Sequence, residues 1–462
     1  MTSLDANSSA VKEAKPFVPP PGPSTHPLWQ LLRYSFFPLQ YLEDCARYGE
    51  TFTFRLAGFG RLIMFTRPED IREIFRGDPA VLHSGEANVF LAALVGDTSV
   101  LVLDDAPHVR QRRVLLPPLK GERMKTFFNA MQSETLAVVD DWARRGEVYA
   151  DLSTQQITLR VIMRAALGQA DGLVFDALES SMSRMLRRLR HPFFLVMSKV
   201  FPHERFKDSR VVSFYRLRRR VDALLYELIA AQRAAPPEAR PACLLTDLLE
   251  TRHEDGTRMS DVEIRDALVT ILAAGHDTTA LALAWALEQI LPRPDVVASL
   301  RDEVARVCGG DSLRQEHVAQ LVYLDACIRE TLRVRNIIPF IVRVLKADYT
   351  VGGVKYPTGS VLCPAIHLLH MRPDLYPEPH VFRPERFLER KYAPHEWDPF
   401  GGGNRACLGQ AFAMYEMKVV LVTLFAKLDM TRAPGAISKP VRRGISIGAH
   451  DGVRLSARLR TG

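Results

Sequence analysis

The chain reads as a mainly α-helical protein with a small β-rich lobe built from both of its ends. Three observations predict this. Stretches with helical spacing and few breakers cover about Asp104 to Glu250, Asp261 to Leu291, His317 to Arg335 and Gln410 to Leu428. Short β-branched and aromatic runs gather at about 50–66 and 341–364. At 462 residues with 47% apolar content, the chain can bury a large core. The order of strands, many helices and strands again places one helical body against a lobe assembled from distant segments. Residues 1–26 are read as a proline-rich lead-in and 27–462 as one domain.

Taken in order, Met1 to Lys15 is polar and PFVPPPGPSTHP is extended. Thr51–Arg55 and Arg61–Thr66 form a hairpin across a glycine-containing turn. Pro68 opens a helix at its first turn, and Glu86–Leu103 is a loop with a short helix. The string DDAPHVRQRR from Asp104 starts the next helix, with acidic residues and Pro107 at its N-terminal end. From there to about Glu250 the pattern is helical, interrupted by His191–Pro202 (HPFFLVMSKVFP) between Arg187, Arg188, Arg190 and Arg205. That stretch is either a buried connection or a greasy lid that touches substrate or membrane. Ala234–Pro241 is a surface loop. Asp261–Leu291 is the longest helix. Gly275 weakens its middle, AAGHDTT, where a threonine hydroxyl can take a backbone carbonyl. A local widening there would admit a small molecule. The helix near His317–Arg335 sets Glu330 and Arg333 on one face. Ile341–Val344, Tyr349–Val354 and Ser360–Pro364 are strand-like, with GG and PTG turns.

Composition removes several function classes. Six scattered cysteines (Cys45, Cys243, Cys308, Cys327, Cys363, Cys407) include no CxxC pair, which argues against a disulfide framework or zinc site and for a reducing compartment. The net charge of +8 is dispersed and no nucleic-acid module is present, so a basic face for an acidic protein partner is the better reading. Leu268–Leu287 is apolar enough to suggest a membrane span, but His276, Asp277, Thr278 and Thr279 at its centre point to a helix crossing a protein core. A soluble cytoplasmic monomer without a membrane anchor is expected.

The chemistry centres on Phe400–Gly409, FGGGNRACLG. Cys407 lies in a glycine-rich bend ahead of a helix, so unpaired amides, the positive end of that helix and Arg405 all favour an anionic sulfur. Gly401, Gly402 and Gly403, lacking Cβ atoms, let backbone approach a flat partner. Iron ligation, above all of haem, needs one exposed and shielded thiolate. A lone cysteine is more often a small core residue, so the other motifs decide.

The whole string resembles the haem-binding signature of the cytochrome P-450 family, F-G-x-G-x-R-x-C-x-G. Four further stretches resemble the same family in its order: Ala274-Gly275-His276-Asp277-Thr278-Thr279, its oxygen-activation motif; Glu330-x-x-Arg333; FRPERF at Phe382–Phe387; and His108-x-x-x-Arg112. The resemblance runs from about residue 30 to the end and implies a triangular prism of helices around heme b. It implies Cys407 as iron ligand, with Ala274, Gly275, Phe400 and Gly409 also against the cofactor. His108, Arg112, Arg343 and Arg405 would meet its propionates, Arg343 by position only. Asp277 and Thr278 would deliver protons, and Glu330, Arg333 and Arg386 would form a buried structural network. Two features depart from the family pattern. VRNIIPF follows Arg333, putting Pro339 late, and His276 can face either the pocket or another helix.

The implied activity is insertion of one atom of dioxygen into a lipophilic small molecule, terpenoid, steroid or fatty-acyl. Electrons would come from NAD(P)H through a ferredoxin reductase and ferredoxin. Apolar pocket candidates are Phe90, Leu91, Leu94 and Val95, then Phe193 and Phe194, Val269 and Ala273, and finally Ile337, Ile338, Phe340 and Ile447. The alternatives are a peroxide-dependent or isomerising relative, which the presence of both Asp277 and Thr278 disfavours, and a haem sensor without turnover.

Overall fold

In a computed structural model, residues 17–168, 172–190, 210–309, 313–436 and 438–460 are described. Helices supply the body. The first nine are α1 (Pro27–Phe36), α2 (Pro38–Ala46), α3 (Pro68–Arg76), α4 (Ala92–Val95), α5 (Asp105–Leu115), α6 (Gly121–Lys125), α7 (Phe128–Arg145), α8 (Ala150–Leu167) and α9 (Leu173–Leu189). Proline occupies the first position of α1, α2 and α3, where its missing N–H costs nothing. Later come Arg210–Ala234, the central helix Asp261–Ile290, the helix Val322–Val334 and the C-terminal helix Gln410–Lys427. The apolar 191–202 stretch, with Phe193 and Phe194, lies outside the described residues.

The central helix starts at a capping box, in which Ser260 accepts from the Glu263 amide while the Glu263 carboxylate accepts from the Ser260 amide. It is α-helical throughout, with no widened turn at Ala274–Thr279. Helix α8 lies along it in register. Thr154 Oγ1 donates to the Ala280 carbonyl (3.0 Å), Thr158 Oγ1 to the His276 carbonyl (3.0 Å), and a Cβ on Gly275 would meet Ile162 at 3.2 Å. Small and hydroxyl side chains at i and i+4 spacing therefore let the two backbones come close. The central helix is long and apolar enough to cross a membrane by composition, and most of it is buried inside the protein. The second long helix begins at Val322 rather than at His317, which sits in a preceding 3-10 turn.

The lobe is a five-stranded sheet in the order β1 (Thr51–Leu56), β2 (Gly60–Phe65), β8 (Val361–Pro364), β5 (Arg343–Leu345) and β3 (Leu82–His83). Strand β2 pairs with β8 in parallel, joining the two ends of the chain as expected. The GG turn folds Tyr349–Tyr356 into its own hairpin, β6 (Tyr349–Val351) and β7 (Val354–Tyr356). The tail corrects the expectation that only 50–66 and 341–364 are β. Strands β9 (Leu428–Arg432) and β12 (Arg454–Leu459) pair with β4 (Glu147–Tyr149), and β10 (Pro440–Arg443) forms a hairpin with β11 (Ser446–Ala449).

Glu330 ties the two halves together. Its carboxylate accepts from Arg333 Nε and Nη2 (both 2.7 Å), from Arg386 Nε (3.0 Å) and from the Arg383 amide (2.9 Å). The arginines spend their other donors on the carbonyls of His370, Pro377, Pro379 and Val381. Glu330, Arg333 and Arg386 are sealed from solvent and each buried charge is answered, the condition under which such a network is tolerable.

Candidate active site

Cys407 stands just before the C-terminal helix. Its amide donates to the Phe400 carbonyl (2.9 Å), closing the bend, while its side chain is solvent-exposed; the other five cysteines are buried. Crowding around the sulfur still raises the thiol above its ordinary range, and the amides of Gly409 and Gln410 and the charge of Arg112 work against that. The expected helix-end amides are thus present, but the cation that acts on the sulfur is Arg112 rather than Arg405. Accessibility and crowding are compatible if the sulfur opens onto a recess instead of bulk water.

Arg405 is committed elsewhere. It binds the Asp104 carboxylate and the carbonyls of Val100 and Leu103. Asp104 in turn accepts from the amides of Ser84, Gly85 and Glu86 (2.8–3.0 Å), so one carboxylate locks three segments. Arg112 Nη1 donates to the Ala406 carbonyl at 2.7 Å, one residue from the thiol. Arg343 is buried, donates to Ser84 Oγ and the Val342 carbonyl, and has no carboxylate in contact among the described residues. Burial first, then Arg405, pulls it down to about 10. Asp104 and, less, Asp398 oppose that shift, and Asp398 is itself pushed up to about 7 by burial. His108 falls to about 4 through burial and the charges of Arg405, Arg112 and Arg343. These couplings mean that the four predicted cationic positions converge.

The glycines serve the protein's own packing. A Cβ on Gly402 would lie 2.3 Å from the Phe75 ring, and one on Gly403 2.0 Å from the Phe75 carbonyl. They admit helix α3 through Phe75. Phe400 is half-buried and meets Trp397 edge to face at 6.3 Å.

On the central helix, Ala274 is exposed and Ala273, Gly275, Asp277 and Thr278 are partly so, within an otherwise buried stretch. Thr278 Oγ1 donates to the Ala274 carbonyl at 2.7 Å, the backbone bond anticipated for a threonine here. Asp277 is paired with Arg190 Nη2 at 2.6 Å, just past the end of α9. Nothing local in the sequence selected that arginine from its neighbours. His276 turns away from this open face, bonds Thr158 through Nδ1 (3.1 Å) and is lowered to about 4 by burial, which settles its orientation toward α8.

The pocket candidates divide. Leu91, Leu94, Val95, Val269 and Ile337 are buried in the main core, with Phe90, Ala273 and Ile338 packed partly buried against it. Phe340 instead packs on the lobe cluster, 5.7 Å from the Tyr34 ring. Ile447 is buried, its amide bonded to the Ile337 carbonyl and its carbonyl to Trp285 Nε1.

An accessible thiol faced by two amides, with cations nearby of which Arg343 lacks a carboxylate partner among the described residues, is a donor set that fits an iron macrocycle bearing acid side chains. Among the described residues no cluster of His, Cys, Asp and Glu could hold a bare metal ion.

The family model for cytochrome P-450 matches residues 19–448. Cytochrome P-450 135B1 of Mycobacterium tuberculosis is 36% identical, covering 95% of this chain and 91% of that protein. Cytochrome P-450 138 of the same organism is also 36% identical, covering 90% of each. The crystal structure of the cytochrome P-450DA heme domain superposes with a TM-score of 0.84 at 25% identity, over 97% of this chain and 99% of that one. The retinoic acid-bound cyanobacterial CYP120A1 does so at 0.82 and 23%, with the same coverage.

Proposed function

The chain belongs to the cytochrome P-450 family of haem-dependent monooxygenases, and on that premise we propose that it hydroxylates or epoxidises a terpenoid, steroid or fatty-acyl molecule. The observation that carries this reading is the accessible Cys407 thiol, with Arg112 acting on it and Arg343 a buried guanidinium without a carboxylate partner among the described residues. Haem, when bound, supplies the activation of dioxygen. Cys407 would ligate the iron, its thiolate form favoured by the Gly409 and Gln410 amides. Arg343 and Arg112 would meet the propionates as cations, and His108, neutral at pH 7, as a hydrogen-bonding partner. Arg405 would act by fixing the Asp104 junction and Phe400 by shielding the sulfur.

Thr278 holds a proton on Oγ1 beside the exposed Ala274, and Asp277 would exchange protons with water when released from Arg190. Gly275 contributes by bringing α8 close. The partly buried apolar groups Phe90, Ala273 and Ile338 suit a substrate with few polar anchors. The net charge of +8 supports a separate acidic ferredoxin, fed by a reductase from NAD(P)H. Its reduction rate should fall steeply with added salt, and a salt-independent rate would overturn that partner.

The test of the site is spectroscopic. The ferrous–CO complex should show the red-shifted Soret band of thiolate ligation. Cys407→Ser should lose that band while melting within a few degrees of wild type. A wild-type protein with no such band would sink the reading.

A further inference from the structure

One turn ahead of Val269, the central helix sets Arg265 and Asp266 against two other segments. Asp266 is buried, and its Oδ2 accepts from the Thr98 amide (3.0 Å) and from Thr98 Oγ1 (2.8 Å). Its Oδ1 lies 2.8 Å from Arg265 Nη1, which in turn is 3.6 Å from Asp222 on the helix Arg210–Ala234. Asp222 also pairs with Arg218 at 2.9 Å, one turn earlier on that helix. Two arginines and two aspartates cancel in charge, but their hydrogen bonding is incomplete. Arg218 Nε and Nη2, Arg265 Nε and Nη1, Asp222 Oδ1 and Asp266 Oδ1 are buried without a well-directed bond among the described residues. Burial accordingly lowers Arg218 and raises Asp222, against the attraction between them. Loss of one member of such a network is felt by the rest.

The loop side of the cluster is shaped to meet it. Gly96 has φ +89°, and a Cβ there would lie 2.0 Å from Asp266 Oδ1, so glycine is what lets the chain pass. Ser99 Oγ bonds Thr270 Oγ1 (2.7 Å) on the next turn of the central helix. The Ser99 carbonyl accepts from the Val102 and Leu103 amides (3.0 and 3.1 Å), which folds Gly96–Leu103 into a short strap. Its far end is held by Arg405, two residues ahead of Cys407, through the carbonyls of Val100 and Leu103. Its near end directly follows Leu94 and Val95. One strap therefore reaches the sulfur bend at one end and, through Asp266, Arg265 and Asp222, the helix Arg210–Ala234 at the other.

We propose that Gly96–Leu103 couples the haem site to the helix Arg210–Ala234, so that a ligand bound at the haem tightens this helix through Asp266 and Asp222. Asp266 is the positioning residue of the strap and Asp222 its link to the helix. Such coupling is reciprocal, so loosening either end should loosen the other. The inference rests on the haem-binding reading above and adds a regulatory connection to it.

Full-length haem-loaded protein would be followed by amide hydrogen exchange with and without 4-phenylimidazole, whose binding to haem iron is read from the Soret band. In wild type the azole should slow exchange about five-fold or more at Thr98 and at Asp222–Tyr226. Asp222→Asn should keep the Soret response, lose the slowing in the helix, and speed exchange at Thr98, which Asp222 does not touch. Asp222→Glu should restore the wild-type pattern. Thr98→Val should loosen Asp222–Tyr226 from the strap side. Faster exchange confined to the substituted segment would mark a local structural role and overturn the proposal, as would azole-induced slowing of the helix that survives Asp222→Asn. Should that variant fail to fold, Thr98→Val and the wild-type comparison decide. Protein with no Soret response would refute the haem reading, while reciprocal effects of Asp222→Asn and Thr98→Val would still uphold the strap. A normal response without transmitted slowing would overturn the strap alone.

Discussion

Asp277 is held by Arg190 at 2.6 Å, with both side chains mostly shielded from water. A carboxylate so placed can exchange protons only when the pair opens, so its contribution is conditional on the end of α9. Asp277→Asn should lower turnover by about 100-fold or more and enlarge the solvent isotope effect, in line with loss of a positioned proton-transfer group. Single-turnover kinetics in light and heavy water check this, and an unchanged isotope effect would remove Asp277 from the proton path. Asp277 and Thr278 were both legible in the sequence because they sit next to each other in one motif. Arg190 was not, since 87 residues separate it from its partner and three arginines crowd the same stretch.

At the scale of elements, the FGGG bend is fixed as much by α3 as by its own residues. Gly402→Ala would press a methyl group into the Phe75 ring, and Phe75 is buried in the lobe core, so a cost of about 1–3 kcal/mol is expected. Shrinking the partner with Phe75→Leu in the same chain should recover part of it. A denaturant double-mutant cycle with no coupling would show that α3 does not set the bend. The glycines were legible as a demand for close approach, but what approaches was not, because Phe75 lies more than 300 residues upstream. The tail strands β9 to β12 went unread for a related reason. They are short and largely closed by one another and by β4, so neither long alternation nor turn chemistry announces them.

For the whole molecule, buried histidines tie stability to pH. His276 titrates near 4 when folded and near its ordinary 6.5 when unfolded, so the native state binds fewer protons between those values. Its stabilisation is therefore complete above about pH 6.5 and is lost as pH falls toward 4; His108 acts in the same direction. His276→Gln, which keeps a group able to bond Thr158, should reduce the stability lost between pH 7 and pH 5 by about 2 kcal/mol. Urea titrations at the two pH values check it, and an undiminished loss would place the titration elsewhere. The sequence by itself determined the helical body with its two-ended lobe, the accessible cysteine of the glycine-rich bend, the adjacent Asp277 and Thr278 and the Glu330 network, because each is written in local spacing or in a contiguous motif. Only the tertiary structure decided that Arg112 rather than Arg405 is the cation whose charge acts on the sulfur, that His276 faces α8, and that Arg190 restrains Asp277. Those outcomes depend on which distant charges and surfaces are brought into contact. Pairing of that kind is set by packing in three dimensions, and periodicity along the chain carries no record of it.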